Sequence, residues 1–595
     1  MRIADYIMKH LADIGIKHIF TVVGGGSMYL NDALKKEKRI TPIFCHHEQA
    51  CAFAAEGYAR VNNQLAVALV TSGPGATNCL TGVVGQWTDS VPVLYISGQV
   101  KYKTTLHAQE NDYGALRQLG DQEVNIIDMV SPITKHAKMI LPEDNIKYEL
   151  ELAIHYVTSG RKGPVWLDIP VDIQNKEMNE NIQVFPSCLT IKLFPTTLSH
   201  YVVRNIVNIL HKSKHPLIVA GHGIRLGNAI PEFNELINNV EIPVVITFNG
   251  FDLVDSIHHN YIGRIGSIGT RAGNFALQNA DLILFLGTRN NIRQVSYNWE
   301  NFAPNAKKII VDIDQAELDK NTVRGDVQIC CDAKDFLTEL NLQIVDYPVN
   351  DEDIKWLDWC RERKEKYPVV LDEYKNQEGI NPYYFIQELT RKLSSNPDAI
   401  VVAANGTACI TLFQAGMVRK GQRIFWNSGT ASMGYALPAA IGACLASGRE
   451  VICIEGDGSL QMNIQELATI KHYNLPIRIF VLCNGGYKSL QITQENHFDG
   501  DYTGSTLDDL TFPDLENICN AYGLGYGYID ETNQIDDDLT YYKTPVITEV
   551  VLGNYEFAPK LAAVKMEDGS IQSPSLENMS PFLSKEEMEG NKING

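Results

Sequence analysis

Short apolar runs, each closed by a glycine or a polar turn, recur along the chain in three sets. AVALVTSG (66–73), PVLYISGQV (92–100) and PVWLDIPVD (164–172) form the first. PLIVAG (216–221), IPVVITF (242–248), DLILFLG (281–287) and KIIVDID (308–314) form the second. AIVVAA (399–404), REVICIEGDG (449–458), IRIFVLCNGG and PVITEVV (545–551) form the third. Runs of this length, rich in β-branched residues, predict strands buried on both faces. The longer stretches between them carry helical spacing. Strands alternating with helices predict an α/β chain of three doubly wound domains with parallel sheets. Ligands of such sheets sit at the carboxyl ends of the strands, where the strand order switches.

The expected divisions are 1–175, 195–345 and 375–555, with a tail over 556–595. A polar connector, Gln174–Ser199, separates the first two. The charged DEDIKWLDWCRERKEKY (351–367) reads as a surface helix and linker, and the third set opens near Asn381. MRIADYIMKHLADIGIKHIF reads as an amphipathic N-terminal helix. The polar LAAVKMEDGSIQSPSLENMSPFL near the C-terminus reads either as a cover over an active site or as a loose tail.

Composition narrows the partners. At 595 residues the chain exceeds what one core supports, so several domains are expected. The net charge of −20 argues against nucleic acid and anionic membrane, which need a basic surface. No apolar run approaches the ~20 residues that span a bilayer, and the N-terminus lacks a signal-peptide pattern. The twelve cysteines are scattered, with no C-x-x-C pair, as expected of a reducing compartment. These features predict a cytoplasmic location.

The third set holds the most specific chemistry. The run VICIE ends in Gly456-Asp457-Gly458-Ser459, and IRIFVLC ends in Asn484-Gly485-Gly486. The glycines permit tight turns and a close backbone approach. Ser459 is positioned to cap the helix that follows, whose free amide groups suit an anion. Asn484 lies 27 positions after Asp457 (484 − 457), about one strand–helix–strand unit. Two neighbouring strand ends can therefore offer Asp457, Asn484 and the Gly486 carbonyl to one Mg²⁺, completed by phosphate and water. The plainer alternative is a helix cap at Asp457 and a turn at Asn484. The combination of GDGS with a strand-end asparagine at this spacing favours the metal–diphosphate site.

A second feature is PIFCHHEQACAFAAEGYAR, in which Glu48 stands between the strand-like PIF and an alanine-rich helical run. An unpartnered carboxylate in such surroundings is costly. Either a partner elsewhere in the chain or a ligand must meet it; a plain helix cap is the weaker reading, since glutamate caps poorly.

These motifs resemble the thiamine-diphosphate-dependent enzymes and, within them, the catalytic subunit of acetolactate synthase. VTSGPGATNCLTGV (70–83), DSVPVLYISGQV (89–100), SPITKHA (131–137), GPVWLDIPVDIQ (163–174) and SMGYALPAAIGA (432–443) carry the likeness along nearly the whole chain. The resemblance implies that Glu48 hydrogen-bonds the cofactor's aminopyrimidine. It implies that Met433 is an apolar wedge bending the cofactor, with the Ala431 carbonyl beside it where the family has glycine. Pro74, Thr77 and Asn78 correspond to contacts near the pyrimidine. Gln122 matches a glutamine of the active-site channel. Gly406, Gly456, Asp457, Gly458, Ser459, Asn484 and Gly486 correspond to the diphosphate and metal site.

The second set resembles that family's flavin-binding domain. The likeness implies FAD near Arg161, Gly221, Gly223, Gly287, Arg289 and Asp312, without a redox role. It also implies a homodimer or homotetramer in which Glu48 and Asp457, 409 positions apart (457 − 48), serve one active site from different subunits. The expected reaction is decarboxylation of pyruvate and transfer of the two-carbon unit to a keto acceptor.

Four departures bear on the acceptor and the diphosphate site. Val171 replaces the lysine after D-x-P, Asp121 the phenylalanine before the channel glutamine, and Thr493 an acceptor-shaping tryptophan. Gly406-Thr407-Ala408 replaces G-Q-H, so a histidine is missing. A larger, polar acceptor such as a keto-deoxysugar nucleotide is therefore an alternative to a second oxo acid. A simple decarboxylase, a pyruvate oxidase and a non-catalytic cofactor-binding paralog are further alternatives.

Overall fold

All eleven runs singled out above form strands, and every one lies in a parallel sheet. They are seen in a computed structural model that describes residues 1–109, 116–178, 198–345, 351–541, 543–565 and 571–593. The N-terminal sheet contains β1 (His18–Thr21), β2 (Thr41–Phe44), β3 (Ala66–Val70), β4 (Val93–Gln99), β5 (His136–Met139) and β6 (Val165–Pro170). The middle sheet contains β7 (Pro216–Ala220), β8 (Val244–Ile246), β9 (Tyr261–Arg264), β10 (Leu282–Leu286), β11 (Lys307–Asp312) and β12 (Val327–Cys330). The C-terminal sheet contains β13 (Ile400–Ala403), β14 (Arg423–Phe425), β15 (Val451–Gly456), β16 (Ile477–Cys483), β17 (Gly525–Ile529) and β18 (Val546–Val551).

The strand orders are β2-β1-β3-β4-β6-β5, β12-β11-β10-β7-β8-β9 and β14-β13-β15-β16-β18-β17. The first and third sheets share one order. The middle sheet has the order of dinucleotide-binding folds, with its switch between β7 and β10. In the third sheet the switch falls between β13 and β15, whose ends carry Gly406 and Asp457. The central strands β3, β4, β6, β7, β10 and β13 are buried along their whole length, which explains their unbroken apolar sequences.

Several expectations are corrected. The N-terminal helix covers only Ile3–Asp13, and the HIF that follows enters β1. The charged segment is a helix, Asp351–Lys366, but not merely a surface one: Trp356, Leu357 and Cys360 are buried. The Trp356 indole also donates to the Pro216 carbonyl at 2.8 Å, tying the helix to β7. Most of the Gln174–Ser199 connector lies outside the described residues. Where it is described, the C-terminal segment is not a loose tail. Residues 571–593 are strapped to the middle sheet's helices, with Leu576 and Met579 buried. Asn274 donates to the Leu576 carbonyl (3.0 Å) and Asn279 to that of Asn591 (3.0 Å). Among the described residues no helix is long and apolar enough to cross a membrane.

The helices Glu48–Asn62 and Ala436–Ser447 join the first and third sheets. Ala54 and Gly57 of one meet Gly442 and Ala439 of the other, all buried, while Ala52 faces Gly82 of the helix Leu80–Asp89. A Cβ on Gly57 would overlap the Ala439 carbonyl, and one on Gly442 would overlap that of Ala54. The backbones thus touch directly, which only small residues permit. The alanine-rich run after Glu48 is therefore an interdomain surface. Gly442→Ala should wedge the helices apart, at the cost of about 1–3 kcal/mol or more that overpacking brings. Gly25→Ala, where nothing lies within 4 Å, should stay within about 0.5 kcal/mol of wild type. Urea unfolding midpoints compare the two, and equal midpoints would refute the contact.

Candidate active site

At the ends of β15 and β16 one carboxylate organises a turn. Asp457 Oδ2 accepts the amide hydrogens of Asn484 (3.0 Å), Gly485 (2.9 Å) and Gly486 (3.3 Å), while Oδ1 accepts that of Gly458 (2.8 Å). Burial pushes the Asp457 carboxyl up and these amide donors work against it. The Asn484 side-chain nitrogen donates to Tyr555 OH (3.0 Å) and Thr407 Oγ1 (3.4 Å). That fixes the amide so that Asn484 Oδ1 is buried without a hydrogen-bond partner. An orphaned carbonyl oxygen beside a buried carboxylate fits a hard cation. Among the described residues no three His, Cys, Asp or Glu side chains are grouped to hold a metal. A cation here would therefore depend on additional oxygens from a diphosphate and water.

Neighbouring residues complete this end. Gly406, in a left-handed conformation (φ 87°), precedes the helix Thr407–Ala415, and Thr407 pairs with Tyr555 OH at 2.7 Å. The threonine that stands in the missing histidine's stretch thus joins the network around Asn484. Gly456 has no atom within 4 Å of where a Cβ would sit, so its face is open. Ser459 does not cap a helix: it lies inside the short helix Asp457–Gln461, whose cap position is Gly456. Its hydroxyl instead accepts the Gly434 amide hydrogen at 2.9 Å. Tyr555 was not legible as a site residue, because its role rests on a contact made 71 positions (555 − 484) away.

The segment 428–434 brings that contact to the predicted wedge. Ala431 adopts φ 53°, the left-handed region that glycine enters freely. This accounts for glycine at that position in the family. Met433 is 37% exposed, so it is not ordinary core. Asn463 ties this segment to the Glu48 helix of the same chain, since its amide nitrogen donates to the Gly434 carbonyl (2.7 Å) and to Gln49 Oε1 (3.1 Å).

Gln49 adjoins Glu48, the first residue of its helix. The cap is His47, whose Nδ1 accepts the Gln49 amide hydrogen at 3.0 Å, so Glu48 is free of that duty. Glu48 Oε2 accepts from Asn78 Nδ2 at 2.9 Å. The carboxylate is half-buried rather than sealed. Gly75 lies against its Oε1, close enough that a Cβ there would sit 3.7 Å away. Thr77 bonds back to the exposed Pro74 through its carbonyl (3.5 Å). Gln122, exposed and left-handed (φ 62°), rests its carbonyl on Gly73 beside Pro74. Glu48, Pro74, Thr77, Asn78 and Gln122 thus form one patch. The nearby Cys45, Cys51 and Cys79 are buried, with thiols pushed up by their surroundings, and are inert hydrophobes there.

A separate cavity of about 930 Å³, open mouth included, lies at the β7/β10 switch. Gly221, Gly223 and Gly287 do not cradle a ligand with free space: their backbones cross, and the Gly223 amide donates to the Gly287 carbonyl at 2.8 Å. Gly223, Gly287, Arg161, Arg289, Asp312 and His222 line the cavity. Asp312 ends β11, where a carboxylate suits a ribose hydroxyl. Burial pushes it up to about 6. Arg161 bridges to Asp314 (2.7 Å) and Glu317 (2.9 Å). His222 is held well below its usual value by burial and by Arg423 and Arg60, and its Nδ1 is buried without a partner. Cations for a pyrophosphate, a strand-end carboxylate and an unpaired imidazole nitrogen together fit a dinucleotide.

Known proteins carry the same arrangement of sequence. Residues 1–123 match the thiamine pyrophosphate enzyme N-terminal TPP binding domain, 203–340 the central domain and 404–548 the C-terminal TPP binding domain. The acetolactate synthase large subunit of Buchnera aphidicola subsp. Schizaphis graminum is 33% identical over 524 residues, 87% of this chain and 88% of that protein. The large subunit from Lactococcus lactis is 31% identical over 568 residues, 93% of each chain. Isozyme 3 of Escherichia coli is 31% identical over 527 residues, 87% of this chain and 88% of that one. The orphaned oxygen at Asn484, the exposed Met433 and these matches converge: the chain belongs to the thiamine pyrophosphate enzyme family and is an acetolactate-synthase-like, thiamine-diphosphate-dependent enzyme.

Proposed function

We propose that this enzyme decarboxylates pyruvate and joins the retained two-carbon unit to a keto acceptor, with Glu48 as its proton-handling residue. When bound, thiamine diphosphate supplies the carbon nucleophile and the electron sink. The observation that carries the reading is the free oxygen at each end of the site. Glu48 Oε2 is held by Asn78, which leaves Oε1 to hold or accept a proton at a pyrimidine nitrogen. Asn484 Oδ1, Asp457 Oδ1 and the Gly486 carbonyl would hold Mg²⁺ on the diphosphate. Met433 and the Ala431 carbonyl would set the bend of the cofactor between them.

Three domains, 1–175, 195–345 and 375–555, with a tail from 556, are our division of labour. The first holds the pyrimidine, the second a flavin and the third the diphosphate. Gln122 and Asp121, both exposed beside Pro74, would line the substrate entrance together with Val171. Thr493 is exposed on the helix Lys488–Phe498, which buries none of its residues. A threonine there leaves room for an acceptor larger than pyruvate. We assign FAD to the middle cavity, on the fit of Arg161, Arg289, Asp312 and His222; the carboligation is redox-neutral, so it would be structural. A homodimer is supported by apolar side chains left open beyond β1, at the end of β2 and after the helix Asp457–Gln461: Val23, Phe44 and Met462 are 57%, 48% and 45% exposed.

Three outcomes are expected. Glu48→Gln should bind thiamine diphosphate like wild type but release CO₂ from pyruvate about 10²–10⁴ times more slowly; near-wild-type release would remove Glu48 from the mechanism. Mg²⁺ alone should give no titration heat, and Asp457→Asn should weaken binding of the Mg²⁺–cofactor complex at least about tenfold, ~1.4 kcal/mol. Unchanged affinity would place the metal elsewhere. The purified protein should show oxidised-flavin absorbance that persists through turnover with pyruvate, while mass spectrometry of products from a panel of ketones names the acceptor. Oxygen consumption with pyruvate alone would select an oxidase instead.

A further inference from the structure

Asp89 closes the helix Leu80–Asp89 and is buried where the three sheets' domains meet. Its Oδ2 accepts from Arg60 at 2.6 Å and from the Ser428 amide at 3.0 Å. Its Oδ1 accepts from Asn249 at 3.1 Å and lies 3.9 Å from Arg289. One carboxylate therefore contacts the N-terminal helix Glu48–Asn62, two residues of the middle unit and the C-terminal backbone. Burial alone would push it up, but Arg60, Arg289 and the Ser428 amide outweigh that and keep it charged.

Ser428 opens the stretch that leads through Ala431 to Met433. That stretch is pressed onto the helix end. A Cβ on Gly429 would overlap Thr88 Oγ1 and come within 2.8 Å of Asp89 Oδ1, and one on Gly85 would overlap Asn427 Nδ2. Asn427 in turn reaches Glu56 at 3.4 Å and accepts from Thr430 Oγ1 at 2.8 Å. Thr430 Oγ1 lies 3.2 Å from Ser432 Oγ, and the Ser432 carbonyl accepts from Asn405 at 2.9 Å. Since Arg60 also donates to Glu56 Oε1 at 2.9 Å, hydrogen bonds run without a gap from the wall of the middle cavity, which Asp89 lines, to Ser432 beside Met433.

We propose that Asp89 is a positioning residue for thiamine diphosphate: through Ser428 it fixes the segment that presents Ala431 and Met433. The inference rests on the reading of Met433 as a cofactor contact. A neutral asparagine at 89 has one acceptor oxygen where the carboxylate serves donors on both sides. It must give up either the Ser428 amide and the Arg60 guanidinium, which then keeps only Glu56, or the Asn249 amide. The segment then loses its anchor although no group facing the cofactor has changed.

The test is isothermal titration of Mg²⁺–thiamine diphosphate into the full-length protein, with thermal midpoints measured with and without cofactor. Four proteins are compared: wild type, Asp89→Asn, Gly429→Ala and Met433→Ala. Gly429→Ala lifts the same segment without removing a charge, and it decides the question if Asp89→Asn fails to fold. Both positioning variants should bind about tenfold more weakly, and the cofactor-induced rise in their thermal midpoint should shrink. A purely structural role would lower the midpoints with and without cofactor alike and leave affinity intact, which overturns the proposal. Weakened Met433→Ala with wild-type affinity in the other two also overturns it. Wild-type affinity in Met433→Ala overturns the reading of Met433, and the proposal with it.

Discussion

The helices Glu48–Asn62 and Ala436–Ser447 cross with little more than hydrogens and methyl groups between their backbones, at Gly57 and Gly442. Dispersion at such short range is large in sum and falls off steeply with separation. The crossing therefore has one spacing and one register. Glu48 heads the first helix, and Met433 stands three positions (436 − 433) before the second. The contact thus fixes Glu48 and Met433 of one chain relative to each other, so each chain presents its two half-sites to a partner as one rigid body.

Upon that frame the charges are handled by amide donors more than by cations. Asp457 is held by four backbone amide groups, Glu48 by the Asn78 amide, and Asp168 by the Ser97 hydroxyl (2.5 Å) and the Gln99 amide (3.0 Å). Burial, with no cation to offset it, pushes Asp168 up to about 7. Asp89 differs, because two arginines face it, and it sits at the joint of all three units. Amide donors fix a carboxylate's direction without neutralising it, which leaves an oxygen free for ligand chemistry. The thiamine site uses that freedom at both of its ends.

The sequence made the interior of the fold legible because central strands, covered on both faces, must be apolar throughout. The strands that escaped notice are β1, β5, β9, β12, β14 and β17, and all but β1 are sheet edges. HAKM, VQIC and GYGYI are short and half-exposed, so nothing in their composition sets them apart from loops. The site divides similarly. Asp457 and Asn484 were readable because strand ends and glycines flank them in the chain. Tyr555, Asn463 and Asp89 were not, because each works through a partner far away in sequence. Ser459 was misplaced as a cap, since the helix starts two residues earlier and its hydroxyl serves Gly434.

The proposed homodimer would place Glu48 of one chain and Asp457 of its partner on the same cofactor. Co-expression of a Glu48→Gln chain with an Asp457→Asn chain, each carrying a different tag, yields mixed dimers that can be isolated from the inactive parents. A site shared between subunits leaves one of the two intact, so the mixed dimer should decarboxylate pyruvate at about half the wild-type rate. A mixed dimer as inactive as its parents would show that each chain builds its site alone.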